Sequence, residues 1–559
     1  MIYHHKISRN LLTLSIIVMC LVACMPVVPP QTDVKVSPQS PNELTSQLMK
    51  REAPNCNYGG KFKAIEAIDE FSVKFTLCSP DGAFLSKLAS IALSIQSAKH
   101  LQETSGRPLD SVLGTGPYKV KEWNKGEWLI LESNPNYWSA LPKTPTLTFT
   151  WNPEAGARLL SLQAQTVDGI DNPDPDNYNM IKSDPNLKLY LRPSFNIFYI
   201  GLPNTKPPLD NDKVRQALAM GIDRKRIVDT FFPLGSTVAD YLAPCEVPGG
   251  CVGTSWPVYN PEEAKKLLAE AGFPNGFKIK LQYRDVTRAY LPSPGTVAVD
   301  IQSQLSKIGV QATIEVQESG TFVANSIAGN LEMHLLGTGG SYPDQTSFVD
   351  IFFGKNADQS FGHHWPDLED VIAKAATVSD LSERIELYAK VNDLIVQHAP
   401  FIPVAHSSSA LAFTKSVEKV FASPIAIEKF TEMYIPGKDN LRFAQNLEPD
   451  NLYCADDSSR DTLRICAQMF DSLFSYKADG TGVEPSLAEE CTVSADNLTW
   501  ICVLRQGVKF SDGTPLTAND VVATYVAQWD AADPLHTGSS GTFYDWSVNF
   551  GPFLNSPPK

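Results

Sequence analysis

Apolar residues recur at helical spacing in several places along the chain, and each run carries its own start and stop signals. Ala264, Leu267, Leu268 and Ala271 follow Asn260-Pro261-Glu262-Glu263, which supplies an N-cap, a first-turn proline and two first-turn acids, and Gly272 closes the segment. A second helix is predicted from about Val297 to Ile308, stopping at Gly309, with a β-rich stretch from Val310 to Val316 behind it. A third opens at Thr517-Ala518-Asn519-Asp520, a capping-box spacing, and continues through Val521, Val522, Tyr525 and Val526. Val493 to Leu504 reads as a hairpin turning at Ala495-Asp496-Asn497. Strand-like and helix-like segments alternate without a fixed-period repeat, so an α/β protein is expected.

The apolar run Leu11 to Val22 has a different meaning. It follows His4, His5, Lys6 and Arg9 and is too short to span a bilayer as a stable helix, so it reads as a secretory signal. Leu21-Val22-Ala23-Cys24 resembles the lipobox of bacterial lipoproteins, which makes 1–23 a signal peptide and Cys24 a lipid anchor; a plain signal cut at an Ala is the alternative. Residues 24–50 carry Pro26, Pro29, Pro30, Pro38 and Pro41 among Ser, Thr and Gln, an extended tether that could reach roughly 80 Å. No other run of about 18 apolar residues occurs, so the membrane is met only through the N-terminal lipid.

Composition narrows the partners. The 559 residues are 43% hydrophobic and 19% charged, enough to bury large cores in two or three domains. With 47 Lys plus Arg against 62 Asp plus Glu, the net charge of −15 disfavours polyanions, and no nucleic-acid role is expected. Of ten cysteines, Cys20 leaves with the signal and Cys24 takes the lipid; the even remainder suits an oxidising compartment. Short spacings suggest Cys245 with Cys251, Cys454 with Cys466, Cys491 with Cys502, and Cys56 with Cys78. A metal site is the alternative, but no closely spaced Cys/His cluster exists, so no metal and no cofactor are expected.

Catalytic signals are weak. G-x-S-x-G, H-E-x-x-H and G-x-x-x-x-G-K-[ST] are all absent. Ser416-Val417-Glu418-Lys419 fits S-x-x-K without the companion motifs, His363-His364 reads as an exposed loop pair, and Asp168, Asp171, Asp174 and Asp176 read as an acidic loop broken by Pro173 and Pro175. Trp123, Trp128 and Trp138 read as core. A secreted hydrolase rests on the S-x-x-K alone, and no enzyme is expected.

Several blocks point elsewhere. Gly114-Thr115-Gly116-Pro117-Tyr118 followed by Asn134-Pro135-Asn136-Tyr137-Trp138, the segment Asp212 to Leu218 with Ile222-Asp223-Arg224, and the segment Glu263 to Gly272 resemble signatures of the family 5 solute-binding proteins of ABC importers, the oligopeptide, dipeptide and nickel binders. Their order is unusual. Val483 to Glu489 and Leu504 to Ala518 match motifs that ordinary members carry near the N-terminus, whereas Phe430 to Ile435 resembles the usual C-terminal end and Leu447-Glu448-Pro449 the usual start. Pro436 to Asn440 joins them with turn-forming residues. A circular permutation is the simplest account; a gene-assembly artefact or a truncated tandem fusion is the alternative.

The resemblance implies a bilobal periplasmic-binding-protein-like α/β fold with an extra subdomain in lobe I. Lobe I would combine 51–210 and 411–559, and lobe II would span 211–410. Ligand would be enclosed between them without covalent chemistry. Peptide-binding relatives use a segment like G-W-x-A-D-Y, whose aspartate meets the ligand's α-amino group. Here Thr338 stands for the tryptophan and Ser341 for the aspartate, so a buried ammonium loses its counter-ion. Asp344 is a candidate substitute, and Tyr342, Tyr199 and Tyr453-Cys454-Ala455 are further candidate walls. The expected function is capture of peptides or similar small solutes for an ABC permease by a monomer anchored outside the cytoplasm. An oligosaccharide or other neutral solute is the second reading, and a chemoreceptor accessory another.

Overall fold

The computed structural model describes residues 47–557, so the expected signal, Cys24 and most of the tether lie outside the described residues. Helix and strand signals translate as their chemistry requires. Asn260 caps helix Pro261–Glu270 by accepting from the Glu263 amide at 3.1 Å. Thr517 and Asp520 form the capping box of helix Ala518–Trp529. The hairpin begins earlier than expected: its first strand is Ala488–Val493, which turns through Ser494 to Leu498 into Thr499–Leu504.

Three large sheets carry the architecture. One antiparallel sheet of five strands runs Lys50–Glu52, Phe62–Asp69, Ser72–Leu77, Thr499–Leu504, Ala488–Val493. A mixed sheet of seven runs Tyr118–Asn124, Trp128–Ser133, Thr146–Trp151, Asn440–Gln445, Gly169–Asp171, Ser409–Thr414, Leu187–Arg192. A mixed sheet of six runs Thr237–Val238, Phe401–His406, Asn196–Gly201, Met333–Gly339, Lys278–Arg284, Gln311–Gln317. Residues from 440 onward therefore add strands to two sheets begun before residue 200. The strand Asn196–Gly201 is almost wholly apolar and buried, as a central strand covered on both faces must be.

Sheet membership divides the chain into two lobes, the five- and seven-stranded sheets in one and the six-stranded sheet in the other. The chain crosses between them at 193–195 and again at 407–408. The first crossing precedes the expected boundary at 210/211, because the buried strand Asn196–Gly201 already belongs to the second lobe. The crossings are tied together: Asn196 Nδ2 donates to Ser407 O at 2.8 Å, the Ser407 amide donates back to Asn196 Oδ1 at 3.0 Å, and Ser408 Oγ donates to Arg192 O at 2.9 Å.

A buried charge cluster locks the first lobe. Arg192 reaches Asp171 at 2.9 Å and Glu428 at 2.7 Å; Arg464 reaches Asp171 at 3.0 Å, Glu428 at 2.7 Å and Asp461 at 2.9 Å. Burial alone would push the Asp171 carboxyl up, yet Arg464 and Arg192 outweigh it and hold it below the usual carboxylate range. Asp168, also buried, pairs with Arg442 at 3.0 Å. The expected acidic loop thus supplies two buried ion-pair residues, on and beside a strand, rather than a solvated face. The four disulfides pair as the spacings suggested, Cys56–Cys78, Cys245–Cys251, Cys454–Cys466 and Cys491–Cys502.

Removing one carboxylate from a closed ion cluster strands the opposing charges without water. Glu428→Gln should lower the unfolding free energy by about 3–5 kcal/mol, measured by urea denaturation at neutral pH.

Candidate functional site

Two cavities are lined from both lobes, and the larger lies against the crossing segments. The larger, about 630 Å³, is lined by Pro193, Phe195, Asn196, Ser407 and Ser408 at the crossings, by Arg288, Tyr290, Gly339 and Gly340 from the second lobe, and by Asp171, Arg192, Arg460 and Arg464 from the first. The smaller, about 340 Å³, is lined by Tyr137, Trp138, Phe470, Asp471, Phe474 and Tyr476 from the first lobe and Ser341 and Pro343 from the second. Ile425 and Arg460 border both. The segment 339–343 passes from one to the other.

The charges in the larger cavity are unequally committed. Asp171, Asp461, Arg192 and Arg464 are committed to one another and to Glu428 in the buried cluster. Asp174 accepts the Asp176 amide at 2.9 Å as a turn cap. Arg288 and Arg460, from opposite lobes, make no side-chain hydrogen bond or ion pair among the described residues, so this cavity presents two free guanidiniums.

Local packing explains the segments that build the walls. A Cβ on Gly114 would meet Met469 O at 2.1 Å and one on Gly116 would meet Met469 C at 2.4 Å, so the Gly-Thr-Gly signature lets a loop lie against the end of helix Arg460–Met469. A Cβ on Gly340 would stand 2.6 Å from the Phe348 ring, which explains a small residue where the chain bends between the cavities.

The sequence-predicted residues fare differently. Ser341 lines the smaller cavity, and its hydroxyl makes no hydrogen bond among the described residues. Thr338 is in the strand Met333–Gly339, half-buried, with its hydroxyl on Gly339 O at 3.2 Å. Tyr342 is buried, its hydroxyl 3.1 Å from Thr346 Oγ1 and its ring 5.1 Å from Lys87 Nζ. Asp344 does not offer its charge to a ligand: Arg384 grips both its oxygens at 2.6 and 2.7 Å. Tyr199 packs wholly inside the second lobe against Phe352, Phe361 and Phe401, with centroids 5.5 to 5.7 Å away. Tyr453, Cys454 and Ala455 are buried in a short turn of the first lobe and border neither cavity, so they support the wall rather than form it. Trp138 is a wall residue rather than core. Its motif gave no sign of this, because the partner that turns it to the cavity, Asp471, lies 333 positions away.

The family model for bacterial extracellular solute-binding proteins, family 5 middle, matches residues 34–360 and 482–546. The chain belongs to this family. Among its relatives, di/tripeptide-binding protein 1 of Pseudomonas aeruginosa is 30% identical over 388 residues, 66% of this chain and 71% of the relative. Heme-binding protein A of Haemophilus influenzae is 30% identical over 386 residues, 67% of this chain and 70% of the relative. The solved structure of HbpA2 from Haemophilus parasuis superposes with a TM-score of 0.62 at 31% identity, covering 68% of this chain and 76% of that one. The periplasmic binding protein DppA from Helicobacter pylori, solved with the peptide STSA, gives a TM-score of 0.51 at 25% identity, covering 67% of this chain and 74% of that one.

In this family 5 protein the two lobes also meet away from the cavities. Gly82 donates its amide to Ala376 O at 2.8 Å and its carbonyl accepts from Arg384 at 3.1 Å, and Ser86 Oγ donates to Pro343 O at 3.1 Å. Lys87 pairs with Asp81 at 2.7 Å beneath Tyr342. Beside them Asp350 has a buried Oδ1 that has no hydrogen-bond partner among the described residues. Burial pushes its carboxyl up to about 7, with Asp344 and Asp81 adding to the rise and Lys87 and Lys61 opposing it.

A carboxyl whose pKa is raised by folding favours the folded state below its unfolded value and loses that advantage as pH rises through the folded value. Asp350→Asn should therefore stabilise the protein at pH 8 by about 1–3 kcal/mol, a gain that fades as pH falls toward 4; urea unfolding at pH 4, 6 and 8 measures it.

Proposed function

We propose that this chain is the extracytoplasmic receptor of an ABC importer, held at the membrane by a lipid on Cys24, which captures peptides between its lobes and delivers them to a permease. The observation that carries the reading is the pair of cavities lined from both lobes and supplied with free arginines, an aromatic wall and a free serine hydroxyl. Closure around a ligand would require both lobes to contribute contacts, as these cavities do. The peptide names borne by relatives of this chain favour that ligand class. The neutral-solute reading draws on Asp344, which is spent on Arg384 and so does not replace the aspartate missing at Ser341. Arg288 and Arg460 weigh against it, since free guanidiniums suit a ligand that carries a carboxylate.

The experiment is native mass spectrometry of the protein purified without refolding, with the released ligand identified. Co-purified peptides are the expected result; a sugar or another uncharged solute would replace the peptide reading with the neutral one.

We further propose that the order of the family's motifs reflects a circular permutation, with the older termini joined near Gly437. Support comes from Asp530. It meets Arg51 at 3.2 Å near the start of the described chain and Asn555 at 2.8 Å near its end, and the Leu554 amide donates to Trp529 O at 2.9 Å. Chain positions that meet around one buried carboxylate are close enough to be joined or parted without moving the core. A rearranged chain that starts at Lys438, links Pro557 to Leu48 through a short Gly/Ser segment and ends at Gly437 should fold with the same circular dichroism and bind the same ligand. Failure of that chain where the native order folds would remove the permutation account.

A further inference from the structure

Ser341 leaves the family's amine-binding position without a charge, yet a carboxylate faces the same space from the other lobe. Asp471 and Ser341 both line the 340 Å³ cavity. Asp471 follows helix Arg460–Met469, and two donors orient it: Trp138 Nε1 at 3.0 Å and Thr115 Oγ1 at 2.9 Å, both on Oδ2. Among the described residues, Oδ1 accepts no side-chain hydrogen bond and no lysine or arginine forms an ion pair with Asp471. Of the cations bordering the cavity, Lys429 spends its ammonium on Tyr476 O at 2.7 Å, Ser475 Oγ at 3.2 Å and Glu484 at 3.6 Å, while the exposed Arg460 and Lys477 make no ion pair with Asp471. The other acids bordering the cavity are already placed, Glu484 against Lys429 and Glu432 exposed.

The surroundings of Asp471 suit an ammonium. Tyr137, Trp138, Phe470, Phe474 and Tyr476 border the cavity with aromatic rings, a setting that favours a cation, as Arg505 over the Trp138 ring at 4.7 Å already shows. Burial pushes the Asp471 carboxyl up, against the pull of the Trp138 and Thr115 hydrogen bonds and of the more distant Lys429 charge. An isolated buried carboxylate is costly, and a ligand ammonium would offset that cost while binding.

We infer that Asp471 has taken over the role of the missing aspartate and receives the α-ammonium of a peptide across the cavity from Ser341. The peptide then runs past Ile425 and Arg460 into the larger cavity. The inference rests on the peptide reading of the site.

The test uses the intact protein and two probes, an equimolar mixture of di- and tripeptides and the same mixture N-acetylated, with affinities read by calorimetry and melting temperature recorded for every variant. The wild-type protein should prefer free amines by about tenfold or more. Asp471→Asn should bring that ratio close to one with little effect on the acetylated set, Asp471→Glu should keep most of it, and Ser341→Asp added to Asp471→Asn should restore it. A wild-type protein indifferent to acetylation overturns the inference. So does an Asp471→Asn variant that weakens both sets alike, which would make Asp471 a support for Trp138 while leaving the peptide reading intact. Binding of neither set overturns both.

Discussion

Two arginines and two carboxylates sealed from water, Arg192, Arg464, Asp171 and Glu428, hold together parts of the chain that are far apart in sequence. Asp171 and Arg192 end strands of the seven-stranded sheet; Glu428 sits on the segment after the second lobe crossing, and Arg464 on a helix that starts at residue 460. Each ion would be expensive to bury alone, so the four are stable only when all four segments arrive in register. The insertion of Asn440–Gln445 between Thr146–Trp151 and Gly169–Asp171 provides that register.

The ligand cleft inherits its character from this arrangement. Because Arg192, Arg464, Asp171 and Asp461 are committed to one another and to Glu428, none of them is free for a ligand, and the free guanidiniums of the larger cavity are those of Arg288 and Arg460. The smaller cavity adds a half-buried carboxylate, Asp471, among aromatic rings, with Arg460 at its border with the larger one. A zwitterionic chain laid across Ile425 and Arg460 would meet a negative end and a positive end. Contacts between the segment 82–86 and the second lobe hold the 339–344 wall in place, and Arg384 takes Asp344 as part of that structure.

Local chemistry was readable wherever the signal lay within one turn or one hairpin. Asn260 and Thr517 cap their helices as their neighbours imply, and the four disulfides join cysteines 6 to 22 positions apart, as their spacing implies. Ser341 was legible as a departure because its neighbours match a pattern. Asp168 and Asp171 were not legible: their partners lie at 192, 442 and 464, and nothing in an acidic tetrad marks which members will meet a guanidinium. Tyr199 failed for the same reason in reverse, since a tyrosine beside a lobe crossing looks like a ligand wall until its aromatic neighbours are known.

By itself, the sequence determined the α/β class, the family and the caps, and its short cysteine spacings suggested the disulfides that form, because each depends on residues close along the chain or on a motif as a whole. Tertiary structure decided where the lobes begin, which acids are spent on arginines and which face the cleft. The reason is physical: a side chain's charge is free or neutralised according to what stands within about 4 Å of it, and for Asp344, Asp471 and Arg464 those neighbours include groups from segments 36 to 356 residues away.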